Sequence, residues 1–166
     1  MTFKYPSVLG AAALLSLSAC PLLAQDASTP KVLSLAIANE LALTAIEQCK
    51  TVGYRVSVVV ADSNGTPVVM LRGDGTGPHT VDSARRKAYT AASMRTSTAE
   101  LAERLAKNPG SAALATLPDI LPLAGGLPIK VEDSVIGAAG VGGAPGGDKD
   151  AACAQAGIDA ISDKLK

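Results

Sequence analysis

Arg55-Val56-Ser57-Val58-Val59-Val60-Ala61 and Pro67-Val68-Val69-Met70-Leu71-Arg72 flank Asp62-Ser63-Asn64-Gly65. Two short runs rich in β-branched residues on either side of an Asn-Gly turn predict a β-hairpin. The first run, rich in Val, reads as a buried strand. The rest of the chain supplies helices to pack against the hairpin.

Upstream, Thr29-Pro30 reads as a helix start, with Thr29 as N-cap and Pro30 in the first turn. Leu33, Ile37, Leu41, Ala45 and Cys49 follow near helical spacing, and Gly53 ends the run. Downstream, the flexible Gly73–His79 segment (GDGTGPH) leads to Thr80, a cap for a helix to about Arg95. Val81, Ala84, Ala88, Ala91 and Ala92 form its inner face. Ser97 and Glu100 have capping-box spacing before a short helix closed by Asn108-Pro109-Gly110. Residues 111–124 interleave Leu with Pro and have no clear period. Leu127–Val131 and Ser134–Val141 are a second pair of strands joined at Glu132-Asp133. Gly142–Gly147 (GGAPGG) then enters a last helix capped by Asp148 and running to about Leu165. The order α-β-β-α-α-β-β-α predicts an α+β domain with helices packed on an antiparallel sheet.

The 166 residues suit one domain and carry 15 basic and 15 acidic side chains, one His, three Cys and 2% aromatics. That balance argues against nucleic acid, which needs a basic excess or stacking rings. Lys4 followed by the apolar Val8–Leu17 and the small-residue end at Ala24 predicts a secretory leader over 1–24, leaving a domain of residues 25–166. Leu17-Ser18-Ala19-Cys20 offers a second outcome, a lipoprotein anchored at Cys20. Either route leads to the periplasm or outside the cell. With the leader removed, Tyr54 and Tyr89 are the aromatics left. Cys49 and Cys153 would then face an oxidising compartment, free as two buried thiols or joined if the terminal helices pack side by side. No C-x-x-C-H occurs, so covalent haem attachment of the c type is excluded.

His79 is the single imidazole. It has no G-x-S-x-G elbow for hydrolysis and too few companions for zinc. One imidazole does suffice as a haem axial ligand; the alternative is a solvated loop side chain. Arg72, Arg85 and Arg86 flank it and can hold carboxylates bidentately, or pair on a solvated face with Asp82 and Glu100. Met70 and Tyr89 are further possible axial ligands that serve equally as core. The glycines Gly142, Gly143, Gly146 and Gly147 precede a helix N-terminus, where backbone N–H groups can meet an anion or simply make a tight turn.

Three segments together resemble the HbpS/GlcG-like family: the hairpin 55–75, Arg86-Lys87-Ala88-Tyr89-Thr90-Ala91-Ala92, and Gly125-Gly126-Leu127-Pro128-Ile129 with Val135–Gly147. The likeness covers about residues 30–165. It implies an α-β-α layered, profilin-like domain with a central antiparallel sheet of about five strands, and a homo-oligomer. It further implies an exported haem-binding protein engaged in haem sensing or in haem degradation by coupled oxidation, with a membrane sensor as a possible partner. On that reading His79 is the metal ligand and the arginines and glycines line the cleft. The alternatives are a module for a small glycolate-like acid or a corrinoid, or an accessory assembly protein without ligand.

Overall fold

The structure, a computed structural model, describes residues 1–2 and 32–165. Cys20, the Thr29–Pro30 helix start and nearly all of the leader lie outside the described residues. The elements are α1 (Leu35–Thr51), β1 (Ser57–Asp62), β2 (Pro67–Arg72), α2 (His79–Met94), α3 (Thr98–Lys107), β3 (Gly126–Val131), β4 (Ser134–Gly142) and α4 (Gly147–Ile161), with 3-10 turns at Pro109–Thr116 and Ser162–Lys164. The predicted order is therefore present.

The strands form one antiparallel sheet ordered β2-β1-β4-β3. It has four strands among the described residues, where the family resemblance implied about five. The 109–125 segment is a 3-10 turn followed by irregular chain. Pro118 and Pro122 cannot donate to a ladder, and the segment lacks an alternating pattern.

The alternation of β1 assigns its two faces. Val58 and Val60 join Leu41, Ala45, Cys49, Cys153, Ala154 and Ile161 in the main core, so α1 and α4 cover that face. Val59 and Ala61 pack on Ala84 and Ala88 of α2, on the opposite face. The result is the α-β-α layering that the family resemblance implies.

Small residues let α2 come very close to the sheet. A Cβ on Gly140 would collide with the backbone of α2 at the Ala84 carbonyl and the Ala88 amide, and one on Gly126 would strike the Lys87 carbonyl. Because backbone cannot rotate aside, Gly140→Ala is expected to cost at least about 3 kcal/mol, the upper end of ordinary overpacking. Urea unfolding measures this against Gly110→Ala, where a Cβ meets nothing within 4 Å and the midpoint stays put.

Local caps explain several boundaries. Asp62 Oδ1 accepts from the Asn64 and Thr66 amides, both at 2.9 Å, and closes the hairpin turn. Ser97 and Glu100 form the predicted capping box. Three starts differ from expectation. Within the described residues α1 begins after Ser34, whose hydroxyl accepts from the Ile37 amide. The helix α2 begins at His79 rather than after a Thr80 cap, because the Thr80 hydroxyl is turned inward. The helix α4 is preceded by Gly146, and Asp148 lies in its first turn instead of capping it.

Cys49 and Cys153 form a disulfide between α1 and α4, with Cα atoms 5.6 Å apart. Side-by-side packing of the terminal helices, one of the two outcomes left open by the sequence, brings this about.

Candidate functional site

The loop between β2 and α2 is held by hydroxyl groups. Ser57 and Thr80, both buried, have their oxygens 2.7 Å apart, and the Thr80 hydroxyl also donates to the Gly77 carbonyl at 2.7 Å. Thr76 donates to the Gly73 carbonyl at 3.0 Å. Arg72 grips the same loop, with Nε donating to Thr76 Oγ1 at 3.1 Å and Nη2 to the Thr76 carbonyl at 2.7 Å. The loop is thus pinned to β1 and to the first turn of α2. His79, the first residue of that helix, is exposed beside Gly77, and no other side chain among the described residues bonds its ring.

Arg85 and Arg86 lie on the same helix. The Arg85 Nη2 is 2.9 Å from Asp82 Oδ1 and 2.7 Å from Asp119 Oδ1, and the Asp119 bond raises its guanidinium pKa most. Arg86 Nη2 donates to the Ile120 carbonyl at 3.0 Å and leaves its other N–H groups available. Seven residues separate His79 from Arg86, so both fall on one side of α2 about two turns apart. Arg72 is committed to its own loop and Arg85 to two carboxylates.

The predicted glycine loop starts against the first turn of α2, where a Cβ on Gly142 would come within 3.1 Å of the Thr80 carbonyl and one on Gly143 within 3.3 Å of the Thr80 methyl. Gly142 faces Ser83 across the α2 contact, while Gly143, at φ +127°, passes close to the Arg55 carbonyl. Gly146 lies beside Asp148, and Gly147 against the Ala124 carbonyl. The anion at this loop is the protein's own. Asp150, in the first turn of α4, accepts from the Ala144 amide at 2.9 Å.

The other Asp150 oxygen is 2.7 Å from Lys87 Nζ, which also donates to the Val141 carbonyl at 2.9 Å. Lys87 is 1% exposed and Asp150 3%. Gly125, at φ +118°, makes room for the pair, since a Cβ there would come within 2.8 Å of Lys87 Nζ and 2.7 Å of Asp150 Cβ. Burial raises the Asp150 carboxyl above its ordinary range, and the Lys87 ammonium opposes that shift. This ion pair was missed from the sequence. The available signal was a lysine on the small-residue stripe of Ala84, Ala88 and Ala91.

Met70 is exposed on β2, and Tyr89 packs beside the Leu101, Leu105 and Ile120 cluster. Tyr89 therefore serves as core.

The chain matches the family of haem degrading proteins described as HbpS-like over residues 33–159. Protein GlcG of Escherichia coli is 34% identical over 113 residues, 68% of this chain and 83% of GlcG. Among solved structures, a double mutant of Streptomyces reticuli HbpS is 43% identical, with a TM-score of 0.75 over 90% of this chain and 98% of that one. The structure of PduOC in complex with haem is 27% identical, with a TM-score of 0.71 over 78% of this chain and 95% of that one. The match runs from the start of α1 nearly to the end of α4 and takes in all four strands. The chain belongs to the HbpS-like family.

Proposed function

We propose that this protein is an exported, homo-oligomeric haem-binding protein. The observation that carries the reading is the family match, joined by a neighbour of the same fold crystallised with haem. The residues fit the group. His79 offers an exposed imidazole at the start of a helix whose preceding loop is pinned, so it would hold the haem iron in a fixed place. Arg86, on the same side of α2, keeps N–H groups for a propionate. Arg85 is less suited, because Asp82 and Asp119 already neutralise it.

Bound haem would supply iron redox chemistry, and the chain adds little acid–base chemistry to it. His79 is its single imidazole, and Asp150, the buried carboxylate among the described residues, is tied to Lys87. Haem breakdown, where it occurs, is accordingly a property of the iron, with the protein acting in capture and sensing. The Cys49–Cys153 disulfide supports export, since such bonds persist in oxidising compartments.

Hemin titration followed at the Soret band tests the reading. A saturable shift is expected, and His79→Ala should weaken it roughly tenfold or more, equivalent to about 1.4 kcal/mol. An unchanged spectrum and affinity in His79→Ala would remove the residue from the role. Absence of saturable binding by the unaltered protein would remove the function.

A further inference from the structure

A cavity of about 460 Å³ lies between the C-terminal half of α1, the Tyr54–Arg55 segment before β1, and the end of β2 with the loop after it. Its volume falls in the range of small-molecule sites. Leu43, Ile46, Tyr54 and Leu71 supply apolar lining, and Leu43 is left 50% exposed there. Lys50, Arg55 and Arg72 bring three cations against the two carboxylates of Glu47 and Asp74. A fourth cation stands alongside, since Lys149 Nζ is 5.7 Å from the Tyr54 ring centroid.

The walls are built rather than incidental. The disulfide at Cys49 holds the end of α1, and Arg72 is fixed to Thr76 by two hydrogen bonds. Arg55 lies along Gly75, where a Cβ would come within 3.1 Å of its Nη1 and 3.3 Å of its Cδ.

We propose that this cavity binds a small organic acid with a short apolar tail, the tail against Leu43, Ile46, Tyr54 and Leu71 and the carboxylate at Arg55. Apolar lining with an excess of positive charge selects that class over neutral hydrocarbons and over polyanions without an apolar part. A carboxylate meeting a guanidinium makes a charge-assisted hydrogen bond, stronger than any a neutral alcohol offers at the same place. The site does not depend on haem. Neither His79 nor Arg86 is among its lining residues, and hexanoate binding is read without haem, so either activity can fail without the other.

Hexanoate is the probe, titrated into the full oxidised protein with isoleucine and leucine methyl groups observed by NMR, beside hexan-1-ol as the uncharged control. Saturable shifts at Leu43, Ile46 and Leu71 are expected, with hexan-1-ol binding about tenfold or more weakly. Arg55→Ala, an exposed position that leaves the core untouched, should weaken hexanoate about fivefold, whereas Lys107→Ala on α3 leaves it unchanged. Equal affinity for acid and alcohol, indifference to Arg55→Ala, or shifts confined to other regions would each overturn the proposal, whatever the hemin titration gives.

Discussion

Lys87→Met is expected to lower unfolding stability by about 3–5 kcal/mol at neutral pH, the range for breaking a buried ion pair from one side. The methionine fills most of the lysine's volume, so the loss is mainly electrostatic. Asp150 keeps the Ala144 amide but loses the ammonium 2.7 Å away. Burial already raises its carboxyl, and Lys87 is the chief opposing influence. Without it the folded-state pKa climbs further above the unfolded value of about 4. A carboxyl with a raised folded pKa contributes stability that is intact below the unfolded pKa and is lost as pH rises through the folded one. The deficit of Lys87→Met relative to the unaltered protein should therefore widen from pH 4 to pH 8.

Asp150→Asn breaks the same pair from the other side. It leaves an ammonium buried without a counter-charge, so it too is expected to cost about 3–5 kcal/mol. The double variant should be less destabilised than the sum of the two, because no lone buried charge remains. Urea midpoints across pH for the three variants measure all of this. A Lys87→Met deficit that stays flat with pH would show that Asp150 does not carry the cost.

The consequence for the site is architectural. Lys87 ties α2, which also carries His79 and Arg86, to the end of β4 and the first turn of α4. The loop resembling an anion cradle is filled from within, so its glycines serve close packing and the ion pair. In the proposed function, His79 and Arg86 are then the residues left to meet haem.

Sequence patterns carry the fold further than the site. The hairpin is legible because Asp62-Ser63-Asn64-Gly65 encodes its own turn, with Asp62 satisfying two amides locally. The Ser97–Glu100 box is equally local. The arginine partners are not legible, since Asp119 and Ile120 sit in a Leu/Pro segment whose path depends on the whole assembly. Lys87 and Asp150 stand 63 residues apart, in charge runs that look solvated when read alone. Long-range pairs of this kind leave a trace only as a misfit, here a lysine on a stripe of alanines. The cavity beneath Leu43 is invisible for the same reason. Its lining comes from three elements whose relative placement no single periodicity specifies.

Loss of the Cys49–Cys153 bond is expected to produce the other large effect. The bridge closes a loop across 104 residues, worth about 4–5 kcal/mol in the chain-entropy account. For a domain of this size that corresponds to a fall in Tm on the order of 10–20 °C. Cys49 is fully buried and Cys153 nearly so, so dithiothreitol must wait for α1 and α4 to part, and reduction should be slow below the unfolding transition. The Cys49→Ala/Cys153→Ala variant avoids that delay and isolates the equilibrium effect. Its native fold should persist, because α4 packs against α1 through more than sulfur. A Cβ on Gly157 would come within 2.6 Å of the Leu41 carbonyl, and Lys164 pairs with Glu40 at the helix ends. Calorimetric scans of the oxidised, reduced and double-alanine proteins measure the difference, and a double-alanine Tm within a few degrees of the oxidised protein would refute the stabilising role. The hemin titration on the double variant separates the two faces of the sheet. The bond lies on the α1/α4 side and His79 on the α2 side, so haem affinity should hold while hexanoate affinity falls, as the end of α1 that bears Lys50 loses its anchor. A protein stabilised in this way forfeits several kcal/mol in a reducing compartment, which gives the proposed export a thermodynamic consequence that can be measured.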